Sequence, residues 1–240
     1  MSQENLPSCR ISGSGTASGG VYNEVLISGS GRIEDSVKAN DIRISGSGKF
    51  SGDVETGELR VSGSAECGGA LTAGRVHVSG SINIKADADC EILKVSGGVE
   101  CGGNVRGEEI AVSGGFRCGG GVECEKFSCS GSFRVKGLLN AEQFSLSLGG
   151  ESSAGEIGGE TILVKIGSVR RFFVVYRGKS LKAESIEGTH VTLACAKAKI
   201  VRGETVVLGP GCDIDRVEYS KQLTVHEKAH VRERVEVRVG

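Results

Sequence analysis

The chain has 240 residues, with 39 glycines, 2 prolines, no tryptophan and 4% aromatic residues; 29 basic and 30 acidic residues leave a formal net charge of −1. A balance this close to neutral gives no sign of bulk electrostatic capture of nucleic acid, and makes association with an anionic membrane doubtful. Hydrophobic residues still make up 38% and recur on a fixed period, which excludes a low-complexity disordered chain.

Residues 1–10 read as an N-terminal tail. MSQENLPSCR lacks the basic start and apolar stretch of a secretion signal. No run of 18 apolar residues follows that would cross a membrane as a helix. The nine cysteines are an odd number without disulfide-framework spacing, so free thiols in a reducing cytoplasm are expected.

From residue 11 to 166 a repeat takes over. Ser-Gly pairs begin at Ser28, Ser45, Ser62, Ser79, Ser96, Ser113 and Ser130, each 17 residues after the last. An earlier pair at Ser12 lies 16 before the first, and Ser147 continues the series with Leu148 in place of glycine. The rest of the unit keeps the same step. Five residues past each serine stand Ile33, Phe50, Cys67, Ile84, Cys101, Cys118 and Val135; nine past it stand Val37, Val54, Leu71, Ala88, Val105, Val122 and Leu139. Pairs such as Ile42 and Ile44, or Leu59 and Val61, fall 14 and 16 past it, and the position 11 past it is mostly small, as at Ala39 and Ala73.

Apolar residues two apart mark a strand with one buried face. Three such pairs or half-pairs per unit, separated by Gly, Ser, Asn, Asp or Glu, predict a triangular coil of three short strands. Stacked in register, such coils make a parallel β-helix, an all-β solenoid of about 17 residues per coil with rungs about 4.8 Å apart; a right-handed winding is favoured. The Ser-Gly pair is expected to turn a corner, with glycine reaching positive φ and the serine hydroxyls bonding neighbouring backbone. Same-offset cysteines stack inside the coil as small core hydrophobes.

Near Leu148 the pattern changes. Residues 167–180 read as an interruption or junction, carrying Arg170, Arg171, Phe172 and Phe173 as a basic and aromatic partner surface. Residues 181–240 read as a looser solenoid segment, with matching pairs Val191 and Leu193, Val206 and Leu208, Leu223 and Val225. Val231, Val235, Val237 and Val239 alternate with Arg232, Arg234, Glu236 and Arg238, which predicts a final capping strand with a charged outer side.

Coils such as IRISGSGKFSGDV (Ile42–Val54), and the later stretch IEGTHVTLACAKAKIVRGETVVLGPGCDIDRVEYSKQLTVHEKA (Ile186–Ala229), resemble the bactofilins, the polymer-forming cytoskeletal proteins of bacteria. The likeness covers roughly residues 20 to 230. It implies a right-handed β-helix that self-assembles into filaments without nucleotide and scaffolds in the cytoplasm, with itself and other bactofilins as partners.

No catalytic or cofactor-binding constellation is read, and no metal site. HEKAH, His226 to His230, matches the zinc-protease pattern, but that chemistry needs both imidazoles on one helical face, and here the pattern is strand, turn, strand. The Gly-x-Gly runs lead into no helix, so they cradle no phosphate. Scattered acids such as Glu34, Asp53, Glu100 and Glu123 do not converge as a glycosidase pair would. The function expected is a structural scaffold associating through its solenoid ends, at the N-terminal end through Ile11, Val21, Val25 and Ile27. The alternatives are a capped monomeric or dimeric adaptor, or a carbohydrate-active β-helix enzyme.

Overall fold

The computed structural model describes residues 6–166 and 179–237. It is a parallel β-solenoid of about 13 turns with about 17 residues per coil, and no helix occurs among the described residues. The chain divides into two compact units, Met1–Ile110 with Gly114–Gly120, and Ala111–Ser113 with Gly121–Gly240.

The first unit opens with β1 (Ser8–Ile11), β2 (Ser14–Ile27) and β3 (Ser30–Ile44). Four- and eight-residue strands then alternate: β4 (Ser47–Phe50), β5 (Val54–Val61), β6 (Ser64–Cys67), β7 (Leu71–Val78), β8 (Ser81–Ile84), β9 (Ala88–Val95), β10 (Gly98–Cys101), β11 (Val105–Val112) and β12 (Gly115–Cys118). Each pairs in parallel with its counterpart 17 residues on, as Phe50 with Cys67 and Val54 with Leu71. Breaks in the strand mark two corners per coil. The third corner lies inside the eight-residue strand: in β5, Val54, Thr56, Leu59 and Val61 are buried while Glu55, Gly57, Glu58 and Arg60 are not. Two successive outward residues reset the alternation there.

The predicted inward positions are buried, from Ile33 and Val37 through Cys101 and Val105. A further core column was not anticipated. Three residues past each serine, Gly31, Gly48, Ala65, Ile82, Val99 and Phe116 all face inward. They grow along the chain, and their neighbours shrink to match. A Cβ on Gly31 would lie 2.9 Å from Ile27 Cγ2 and one on Gly48 would lie 3.1 Å from Ile44 Cδ1. Beyond them the isoleucines give way to Val61, Val78 and Val95. The interior keeps its volume by trading size between adjacent columns, as close packing requires.

The Ser-Gly corner differs from expectation. Among the described residues positive φ occurs only at Gly20, Gly211, Asp35 and Cys195, so none of the repeat glycines uses it. These glycines are required by close approach. A Cβ on Gly46 would lie 2.0 Å from Gly29 O, and one on Gly80 would lie 1.9 Å from Gly63 O. Nor do the serine side chains hold the corner, for they are exposed and the backbone does the bonding: Ser45 N and Gly46 N both donate to Ile27 O, at 2.9 and 3.3 Å. Side chains staple a different corner. Asp53 N donates to Ser36 Oγ at 3.1 Å, Ala70 N to Asp53 Oδ1 at 2.8 Å, and Asn104 N to Asp87 Oδ1 at 2.7 Å.

The second unit contains β13 (Val122–Cys129), β14 (Ser132–Val135), β15 (Leu138–Leu148), β16 (Glu151–Ser153), β17 (Glu156–Ile166), β18 (Ser180–Leu193), β19 (Ala196–Leu208), β20 (Asp213–Val225) and β21 (His230–Glu236). Its steps are irregular. Leu139 pairs with Ile157, Ile157 with Ile186, Ile186 with Val201 and Val201 with Val217, steps of 18, 29, 15 and 16 residues. The expected interruption at 167–180 falls in the long step, and its residues 167–178, with Arg170, Arg171, Phe172 and Phe173, lie outside the described residues. The pairs Val191 and Leu193, Val206 and Leu208, Leu223 and Val225 stack in the register expected.

Candidate functional site

The places where stacking ends are the chemically distinctive ones, because interior rungs pair on both sides. In the first unit, β1 covers only Glu24 to Ile27 of β2. Residues 14–22 of β2 pair with β3 on one side and with no described strand on the other. This edge, Ser-Gly-Thr-Ala-Ser-Gly-Gly-Val-Tyr, carries no charge.

Of the residues expected at this end, Val25 and Ile27 are fully buried and Ile11 is half-buried, level with Ile27. Val21 is not on the core side. It pairs with Lys38 on the outer face and is 51% exposed. The cause is the 16-residue first coil: Ala17 pairs with Ile33 at a step of 16, but Gly20 pairs with Val37 at 17. A one-residue slip exchanges the faces of a strand, so Gly20 takes the inward position that spacing alone gives to Val21. The inward positions of this rung are Gly15, Ala17, Gly20 and Tyr22, level with Gly31, Ile33, Val37 and Ala39. Tyr22 donates its hydroxyl to Ser18 O at 2.9 Å.

The last strand of the second unit also departs from expectation. Val231 does fall on a core column, level with Ile214. Arg234, however, is level with the fully buried Val217, and Glu236 with Tyr219. Val235 is level with Glu218 on the outer face, and Val237 is 45% exposed. The strand thus places Arg234 and Glu236 on core columns and Val235 outward. Val239 lies outside the described residues. Arg234 makes no hydrogen bond or ion pair among the described residues, whereas its neighbours are engaged: Arg232 with Asp215, and Glu233 with Arg216 at 3.2 Å.

The outer faces carry cross-rung ion pairs. In the second unit Arg202 reaches Glu187 at 3.4 Å and Glu218 at 2.8 Å, and Arg216 reaches Glu218 at 2.7 Å. Hydrogen bonds from Arg202 and then Arg216 hold the Glu218 carboxyl below its ordinary range. In the first unit a groove of about 430 Å³ runs past Arg10, Leu26 and Arg43. Its guanidinium groups are already neutralised, Arg10 by Glu24 at 3.2 Å and Arg43 by Asp41 at 2.9 Å.

The chain was compared with known proteins. No family model matches it, and no solved structure matches. Two curated relatives come from Bacillus subtilis (strain 168). The uncharacterized protein YhbF is 40% identical over 84 residues, 34% of this chain and 34% of the relative. The uncharacterized protein YhbE is 49% identical over 51 residues, 21% of this chain and 22% of the relative. The chain spans about a third or less of the length of the curated relatives it matches.

HEKAH forms the turn between β20 and β21: Ala229 N donates to His226 O at 2.9 Å, and Lys228 N donates to His226 Nδ1 at 3.0 Å. No cluster of three or more potential metal ligands occurs among the described residues, and they contain no helix long and apolar enough to cross a membrane.

All nine cysteines are free and buried. Cys101 and Cys118 stack on adjacent rungs, and their thiols donate to Ala86 O at 3.1 Å and Gly103 O at 3.2 Å. Burial pushes Cys67, Cys90 and Cys124 up to about 12. Thiolate is the reactive form, so native protein at pH 8 is expected to leave its thiols unmodified by a disulfide reagent, with nine reacting in denaturant. Fast modification of several thiols in the native state would contradict this core. The linkage has a definite sign. Folded thiols stay protonated while unfolded ones ionise near about 8.5. Their contribution is therefore complete below that pH and is lost as pH rises toward the folded values.

Proposed function

We propose that this protein is a structural scaffold of the bactofilin kind, acting in the cytoplasm and self-associating through solenoid ends without nucleotide. The observation that carries the reading is the edge of β2, with nine uncharged residues that pair, among the described residues, on one side only. Unpaired strand edges are templates for another chain, and proteins that must avoid this protect them with charge. The partner is a second copy, or another chain of the same repeat type. The resemblance of Ile42–Val54 and Ile186–Ala229 to bactofilin coils supports the same reading. A second reading, a capped adaptor, draws on Tyr22, whose ring and hydroxyl bond to Ser18 occupy part of the end.

Sedimentation velocity over a concentration series tests the proposal. Wild type is expected to pass from monomer to a larger species. Ala17→Arg, which places a charge on an inward position of the first rung, is expected to abolish that step. Val21→Lys, on the outer face, is expected to leave it nearly unchanged. A wild type that stays monomeric at high concentration leaves the capped adaptor.

A further inference from the structure

We infer that Arg234 makes β21 a stop for stacking, so that association through the first rung closes as a two-fold dimer of this chain. The inference rests on the self-association proposed above, and adds which end takes part and which residue excludes the other.

In the second unit the inward column runs Ile157, Ile186, Val201 and Val217, all buried. The next rung places Arg234 on it, and the neighbouring inward column ends on Glu236. A further rung laid on β21 would enclose the guanidinium of Arg234, which has no partner among the described residues. Burying an unpaired charge is strongly unfavourable, and inward-pointing charges are a known protection of strand edges.

The contrast with the first rung is direct. There the inward positions are Gly15, Ala17, Gly20 and Tyr22, none charged, and Ala17 takes an inward position of its end rung as Arg234 does of β21, though on a different column. Among the described residues one end edge is open and the other blocked, which leaves a single self-complementary contact between end rungs. Two copies joined by the same surface are related by a two-fold axis, which sets β2 antiparallel to its copy.

Four proteins test this by sedimentation and negative-stain imaging: wild type, Ala17→Arg, Arg234→Val and the double variant. Wild type is expected to plateau at a dimer. Arg234→Val is expected to grow beyond it with concentration, its second contact forming at a concentration lower by about 100-fold. The double variant is expected to dimerise through β21 alone. Wild-type growth beyond a dimer would overturn the stop, as would an Arg234→Val protein that behaves like wild type. If wild type is monomeric, self-association through the first rung fails by itself. The stop is then judged on Arg234→Val alone: dimerisation upholds it and a monomer overturns it. Arg234 is solvent-exposed, so its replacement is expected to leave the melting temperature unchanged, which separates altered contact from altered folding.

Discussion

Gly63→Ala is expected to destabilise the first unit by about 3 kcal/mol, the upper part of the range for overpacked sites. The added methyl would lie 2.0 Å from Gly46 O, 2.5 Å from Ser45 O and 2.8 Å from Ser45 C. All three are backbone atoms of the preceding rung, so no side chain can rotate away. That backbone is fixed from both sides, since Ser62 N and Gly63 N donate to Ile44 O while Ser79 N and Gly80 N donate to Val61 O. Relief requires spreading the rungs, which lengthens those bonds. Gly98→Ala provides the control, because a Cβ at Gly98 meets nothing within 4 Å. It is expected to be neutral or to stabilise by about 0.5 kcal/mol through the entropy of the unfolded chain. Urea melts followed by far-UV circular dichroism compare the two. Equal midpoints would mean that the corner relaxes freely and that close approach is not the reason for the glycine column.

The solenoid was legible because stacking forces equivalent positions to recur at one step, and seven equal steps from Ser28 to Ser147 leave few other architectures. The same argument placed Cys101 against Cys118. It failed wherever one residue was gained or lost. The first coil is one residue short, so Val21 turned outward. On β21 the alternation of valine and charge reads as one continuous face. Yet Ile214 and Val217 are both buried with Asp215 and Arg216 between them, which shows a corner at this level. The corner resets the phase, and Arg234 arrives on the core side. A column that begins Gly31 and Gly48 does not look like core until Ile82, Val99 and Phe116 extend it. The reason for the Ser-Gly glycines was also out of reach, since a periodic glycine signals either unusual φ or close approach, and only coordinates separate the two.

Phe127→Ala is expected to cost the second unit about 3–5 kcal/mol, the largest loss anticipated for any side chain there. Phe127 is fully buried and stacks on Phe144 with ring centroids 5.6 Å apart and planes 2° apart. Phe133 meets both edge-on, at 5.3 Å and 79° to Phe127 and 6.1 Å and 81° to Phe144. Such pairs add about 0.5–1.5 kcal/mol beyond burial. The rings of Phe133 and Phe144 are themselves buried in place, so the space is refilled only by moving them from their own packing. Phe127→Leu retains most of the volume while losing the ring geometry, so it is expected to cost about 1.5 kcal/mol. Thermal melts with near-ultraviolet circular dichroism would follow both stability and the phenylalanine fine structure. A loss below about 1 kcal/mol for Phe127→Ala, with that signal intact, would mean that the core collapses around the site and that the three rings do not set the second unit's stability.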